Sequence, residues 1–91
     1  MSSIRIPRVA VSRRIAANLA TAVEINEDEP VILDGRGLVV NNDVFALQLA
    51  QDLKERNLAG VIVMGGSPQW HRAIQSAGQQ LDFSVTFREV A

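Results

Sequence analysis

Two stretches decide how this chain folds: Val31-Ile32-Leu33-Asp34-Gly35-Arg36-Gly37 and, thirty residues later, Val61-Ile62-Val63-Met64-Gly65-Gly66-Ser67-Pro68. Each is a short unbroken aliphatic run, the pattern of a strand buried on both faces, and each ends abruptly in glycines. Paired glycines at such a point signal positive φ or a close backbone approach. Between the runs, Asn41 or Asn42 can cap a helix in which Phe45, Leu49 and Leu53 lie four apart with Ala46 and Ala50 beside them. Lys54, Glu55 and Arg56 fall on its watery side, Asn57 suits a left-handed terminus, and Gly60 restarts the chain. Strand, helix, strand at this spacing predicts a parallel pair joined by a right-handed crossover, because antiparallel neighbours need only a tight turn.

Towards the C-terminus, Ser67 as N-cap and Pro68 at the first helical position start a third helix with Trp70, Ala73, Ile74 and Ala77 as its apolar stripe and Gly78 as its stop. Phe83, Val85 and Phe87 then alternate with Ser84, Thr86 and Arg88, which predicts a strand with one wet face near a sheet edge. Towards the N-terminus, Ile4, Ile6, Val9 and Val11 flank Pro7, so residues 1–11 read as an edge strand or an arm. Ser12 caps a first helix in which Ile15, Leu19 and Val23 recur, helped by Ala16 and Ala22, to about Ile25. Residues 26–30 form a charged turn, and Leu38 to Val40 a short extended piece. The fold class is α/β: one domain over residues 1–91, a mostly parallel four-stranded sheet with about three helices.

The 91 residues are 47% hydrophobic, with formal net charge -1, no cysteine and one histidine. A domain of this size buries roughly 60 to 65% of its unfolded surface, so a partner that covers more of it is expected. Without cysteine there is no disulfide framework, thiolate nucleophile or thiolate zinc site, and His71 alone cannot build a histidine cluster. No metal and no cofactor are expected. The apolar runs are far short of the about 20 residues that cross a bilayer, and residues 1–14 hold no signal-peptide block, so a cytoplasmic protein without membrane contact is expected. Charge is unevenly spread: Arg5, Arg8, Arg13 and Arg14 stand without acids, whereas Glu24 to Asp34 carries five carboxylates and no base. The surface should be bipolar. A pI near 5.7, with three Phe and one Trp for stacking, disfavours nucleic acid as the partner.

Ends of parallel strands are where such sheets carry function, and here that rim holds Asp34, Gly35, Gly37, Asn41, Asn42, Asp43, Gly65, Gly66 and Ser67. Gly65, Gly66 and Ser67 could present amides and a helix start to an anion, but lack the lysine of a phosphate loop and the spaced glycines of a dinucleotide fingerprint. A tight turn and a cap account for them, and that is the favoured reading. Asp34 and Asp43 could share a divalent cation or an acid/base role, yet an Asp in a helix's first turn is already favoured by about 0.3 to 1 kcal/mol. His71 has no serine or aspartate at triad-like spacing and reads as a surface histidine. Arg13 and Arg14 oppose their helix dipole by a similar 0.3 to 1 kcal/mol each, roughly, and either meet a carboxylate or phosphate on a partner or are screened by the downstream acids.

The run Val31 to Asp43 with its Asp-Gly-Arg-Gly-Leu-Val-Val-Asn-Asn-Asp ending, followed by a helix and then Val61 to Pro68, resembles the STAS domain of sulfate transporters and anti-sigma factor antagonists. It is most similar to small STAS-like bacterial and mobile-element proteins, in which Ser12-Arg13 opens the first helix and Phe45-Ala46 falls early in the second. The resemblance spans most of residues 12–87. It implies a non-catalytic regulatory module that docks a protein, with an ATP-binding kinase-like protein as a typical partner, through the loop from Asp34 to Asn42 and the start of the second helix. Antagonists carry a phosphorylated serine in an Asp-Ser-Ser-Gly-like sequence there. The matching Asn42, Asp43, Val44 and Phe45 have no hydroxyl, and no Ser or Thr occurs between Thr21 and Ser67. Switching at this site would therefore rest on competition between partners, with Asp43 as a fixed charge. Expected partner contacts are Arg36, Asn41, Asn42, Asp43 and Val44 together with Arg13 and Arg14, in a monomer or a homodimer. Two other classes stay open: a small anion- or nucleotide-binding domain around Asp34, Gly65, Gly66 and Ser67, and a self-assembling protein pairing through residues 83–88 or the first segment.

Overall fold

The computed structural model describes residues 2–25 and 30–88. In chain order the elements are β1 (Ser2–Arg5), β2 (Val9–Ala10), α1 (Arg13–Ala22), β3 (Val31–Asp34), β4 (Val40–Asn41), α2 (Asp43–Glu55), β5 (Gly60–Met64), α3 (Pro68–Leu81) and β6 (Ser84–Arg88). Most of the charged turn expected over 26–30, including Glu27, Asp28 and Glu29, lies outside the described residues.

The two aliphatic runs lie side by side. β3, buried at all four positions, pairs in parallel with β5 through Ile32 with Ile62, Leu33 with Val63 and Asp34 with Met64. β1 adds beyond β3 and β6 beyond β5, both parallel, giving the order β1-β3-β5-β6. Each connection moves one strand in the same direction, so right-handed crossovers place all three helices on one face, with α2 between α1 and α3. Strand alternation then divides the sheet. Ile4, Val31, Leu33, Val61 and Val63 join Phe45, Leu49, Leu53, Trp70, Ile74 and Phe83 in the core, where each large side chain contributes about 1.5 to 3 kcal/mol. Ile32, though buried, belongs to the opposite face and stands outside that cluster.

Pro7 splits the first segment, so it is both strand and arm. β1 is an edge strand of the main sheet, whereas β2 leaves it to pair in parallel with β4, Val9 opposite Val40 and Ala10 opposite Asn41. The Arg8 carbonyl accepts from the Val39 and Val40 amides at 2.8 and 2.9 Å, fastening this two-stranded ribbon.

Two local expectations are corrected. In α1 the alanines Ala16 and Ala20 are the deeply buried positions while Ile15, Leu19 and Val23 pack at the margin, and the helix ends at Ala22, short of Ile25, with Ala22 itself exposed. Gly78 does not end α3. A Cβ there would stand 2.6 Å from the Phe83 carbonyl oxygen, so close strand packing requires the glycine, and the helix runs on to Leu81 with Asp82 as its cap in the left-handed region (φ 53°). Lys54, Glu55 and Arg56 are exposed as expected, and two of them also reach neighbouring helices: Arg56 donates to the carbonyls of Ala20, Thr21 and Val23 at the end of α1, and Lys54 to that of Leu81 at the end of α3. Neither α1 nor α3 has a base in its last turn, and helices aligned side by side end at one level, where α2 can supply the missing donors.

Candidate functional site

All four main strands point their C-terminal ends at one rim, and all three helices begin there. Asp34 closes β3 with its side chain nearly buried. Its carboxylate accepts from the Arg36 side chain twice, Nε to Oδ1 at 2.9 Å and Nη2 to Oδ2 at 2.8 Å, and from the Arg36 amide at 3.1 Å. These side-chain hydrogen bonds, opposed by burial and helped by the Arg36 amide and by the charges of Arg36 and Arg5, hold the Asp34 carboxyl down at about 2. Asp34 is therefore a fixed anion already matched by Arg36. Asp43 is exposed in the first turn of α2, where it complements the helix dipole. Among the described residues no group of three or more His, Cys, Asp or Glu side chains could hold a metal ion.

The Gly65-Gly66 turn has a packing explanation. Both glycines have positive φ (71° and 98°); a Cβ on Gly65 would fall 2.5 Å from Arg36 Cγ, and one on Gly66 2.5 Å from Trp70 Cδ1. Gly35 in turn leaves room for the Trp70 indole. Ser67 accepts the Trp70 amide as the cap of α3. His71 is half-buried rather than a free surface histidine: its Nε2 hydrogen-bonds the Gly65 carbonyl at 2.7 Å and its ring packs on Phe87 at 4.9 Å.

The expected contact residues divide. Asn41 is corrected: it is only 7% exposed, because its register opposite Ala10 turns it beneath the ribbon, and it offers nothing to a partner there. Asn42 is committed to structure, with Oδ1 accepting the Phe45 amide as the α2 cap and Nδ2 donating to the Val11 carbonyl. Arg36, Asp43, Val44, Arg13 and Arg14 are exposed. Arg13 and Val44 come together at a groove of about 260 Å³ between α1 and α2.

Neighbouring this groove is a feature that sequence reasoning missed. Val9, Val11, Val39, Val40 and Val44 are each between 41% and 65% exposed, and with Phe87 they are the exposed large apolar side chains among the described residues. The ladder sets Val9 beside Val40, and the Asn42 bond to Val11 holds that residue against the start of α2. No family model, curated protein or solved structure matches this chain. The site is therefore read from its own geometry. The one sequence signal that could have found the patch is the concentration of valines in segments broken by Pro7 and Gly37, where apolar residues have no long helix or strand to bury them. Among the described residues, no helix is long and apolar enough to cross a membrane.

Proposed function

We propose that this chain is a non-catalytic, STAS-like docking module that binds a protein partner through the β2–β4 ribbon and the adjoining start of α2. The valine patch carries this reading: five neighbouring exposed valines on a 91-residue domain are costly to leave in water and mark an interaction surface. Arg8 adjoins Val9 in the chain and Arg13 lines a groove with Val44, so the partner segment that fits is apolar at its centre and carries carboxylates opposite these arginines and a base opposite Asp43. Asp34, Asn42 and Ser67, the polar groups closest to the strand ends, direct their hydrogen bonds to local structure, which agrees with recognition rather than chemistry. Asp43 stands at the patch edge as a permanent charge, and competition between partners is the switch it supports. An ATP-binding kinase-like protein is the partner class the STAS resemblance suggests.

The test is quantitative affinity capture from host extract with wild type, Val40→Asp and Asp43→Lys, each checked for an unchanged melting temperature. A specific partner should be depleted about tenfold or more by Val40→Asp, equivalent to about 1.4 kcal/mol, and measurably by Asp43→Lys. Identical capture profiles for all three proteins would overturn the reading.

A further inference from the structure

We propose that the cleft between the end of β1 and the Asp34–Gly37 turn binds a phosphate monoester group through Arg5, Arg8 and Arg36. The cleft measures about 550 Å³, within the range of small-ligand sites, and three of its lining side chains are guanidinium groups. Its one carboxylate, Asp34, is fully engaged: both oxygens accept from Arg36. Arg36 uses Nε and Nη2 in that pair and keeps Nη1 without a partner among the described residues, and there the side chains of Arg5 and Arg8 hydrogen-bond nothing. Three cations and one anion leave two uncompensated positive charges, which a phosphate monoester, at about -1.5 to -2, matches and a single carboxylate does not. The stems of both free arginines start from fixed backbone. Arg5 is held opposite Asp34 in the main sheet, and the Arg8 carbonyl accepts the Val39 and Val40 amides, so the backbone needs no ordering on binding and only the two side chains lose freedom. Guanidinium forks also favour the planar, two-point contacts that phosphate oxygens accept. This inference goes beyond the docking surface: a partner can cover the valines with the cleft empty, and the cleft can fill with no partner present.

Backbone amide NMR of the full chain tests it. Inorganic phosphate, titrated at constant ionic strength, should produce saturable shifts confined to residues 5–8 and 34–37, with acetate about tenfold weaker or worse. Arg5→Gln and Arg8→Gln should each weaken phosphate about tenfold; Arg8 lies outside any strand, so its variant keeps the test valid if Arg5→Gln disturbs the sheet. O-phosphoserine and adenosine monophosphate present the same group on peptide-like and nucleotide scaffolds, and the one that binds more tightly than inorganic phosphate identifies the source. Shifts that never saturate, that spread equally over Arg13, Arg14, Arg72 and Arg88, or that survive both substitutions would overturn the assignment.

Discussion

Replacing Asp34 by Asn separates the charge of the Asp34–Arg36 pair from its shape. Asn can still accept the Arg36 amide through Oδ1 but cannot form the charged two-point pair. The Asp34 carboxyl lies at about 2 in the folded protein against an ordinary 3.8, which sets a ceiling of about 2.5 kcal/mol on its contribution. Arg36 is 54% exposed, however, and solvent screening of such a pair reduces the contribution to about 1 kcal/mol. Because the folded-state value is the lower one, this stabilisation is complete above about pH 5 and disappears as the pH falls through about 2. Urea unfolding followed by the fluorescence of Trp70, the single and fully buried tryptophan, reads it directly. The Asn variant should unfold at about 0.5–1 M less urea at pH 7, and the gap should shrink by at least half near pH 2. Phosphate binding should move the other way, because the variant cleft carries one more uncompensated positive charge. Equal midpoints at neutral pH, or a gap of the same size in acid, would refute the argument.

Arg56→Ala removes the donors that α2 extends to the end of α1 and should cost about 1–2 kcal/mol, lowering the melting temperature by about 5–10 °C, with Arg56→Lys between the two; an unchanged melting curve would show that water caps those carbonyls equally well. Gly66→Ala combines a φ of 98° with a Cβ 2.5 Å from Trp70 Cδ1, and should destabilise by more than about 2 kcal/mol with a red-shifted Trp70 emission. Gly37→Ala, which meets nothing within 4 Å and has no positive φ, should change stability by less than about 0.5 kcal/mol, and equal effects at the two glycines would contradict the packing described for the turn.

The main sheet could be read from the chain because its evidence is local. Val31–Leu33 and Val61–Met64 declare strands, the first buried on both faces as expected and the second only at Val61 and Val63, because the helices cover one face; Phe45, Leu49 and Leu53 declare a helix between them, and Ser12, Asn42 and Ser67 cap the helices at the expected places. What escaped depends on contacts distant in sequence. Residues 9–11 and 39–41 are thirty positions apart and too short to show a period, so their pairing, the exposure of their valines and the burial of Asn41 are set by the ribbon alone. Gly78 looks like a helix stop along the chain and is a close-packing position only once β6 returns beside α3. Arg56 has the same history: its pattern places it in water, and its partners belong to a helix more than thirty residues earlier.

The one-directional topology also explains why charge collects as it does. With every strand parallel and every helix on one face, the rim at the strand ends receives three helix N-termini, each with positive partial charge, and the chain adds Arg5, Arg8, Arg13, Arg14, Arg36 and Arg88 there against Asp34 and Asp43. The opposite end receives the helix C-termini together with Glu24, Glu55 and Asp82, relieved by Lys54 and Arg56. Charge and dipole therefore reinforce one another instead of cancelling, most plainly in α1, which begins on two arginines with no acid in its first turn. Stability alone would favour the reverse placement by about 0.3–1 kcal/mol per residue. An anion delivered to the rim removes that repulsion, so the strain of the unliganded protein becomes part of the binding free energy, and raising the salt concentration should stabilise the free domain while weakening whatever binds it.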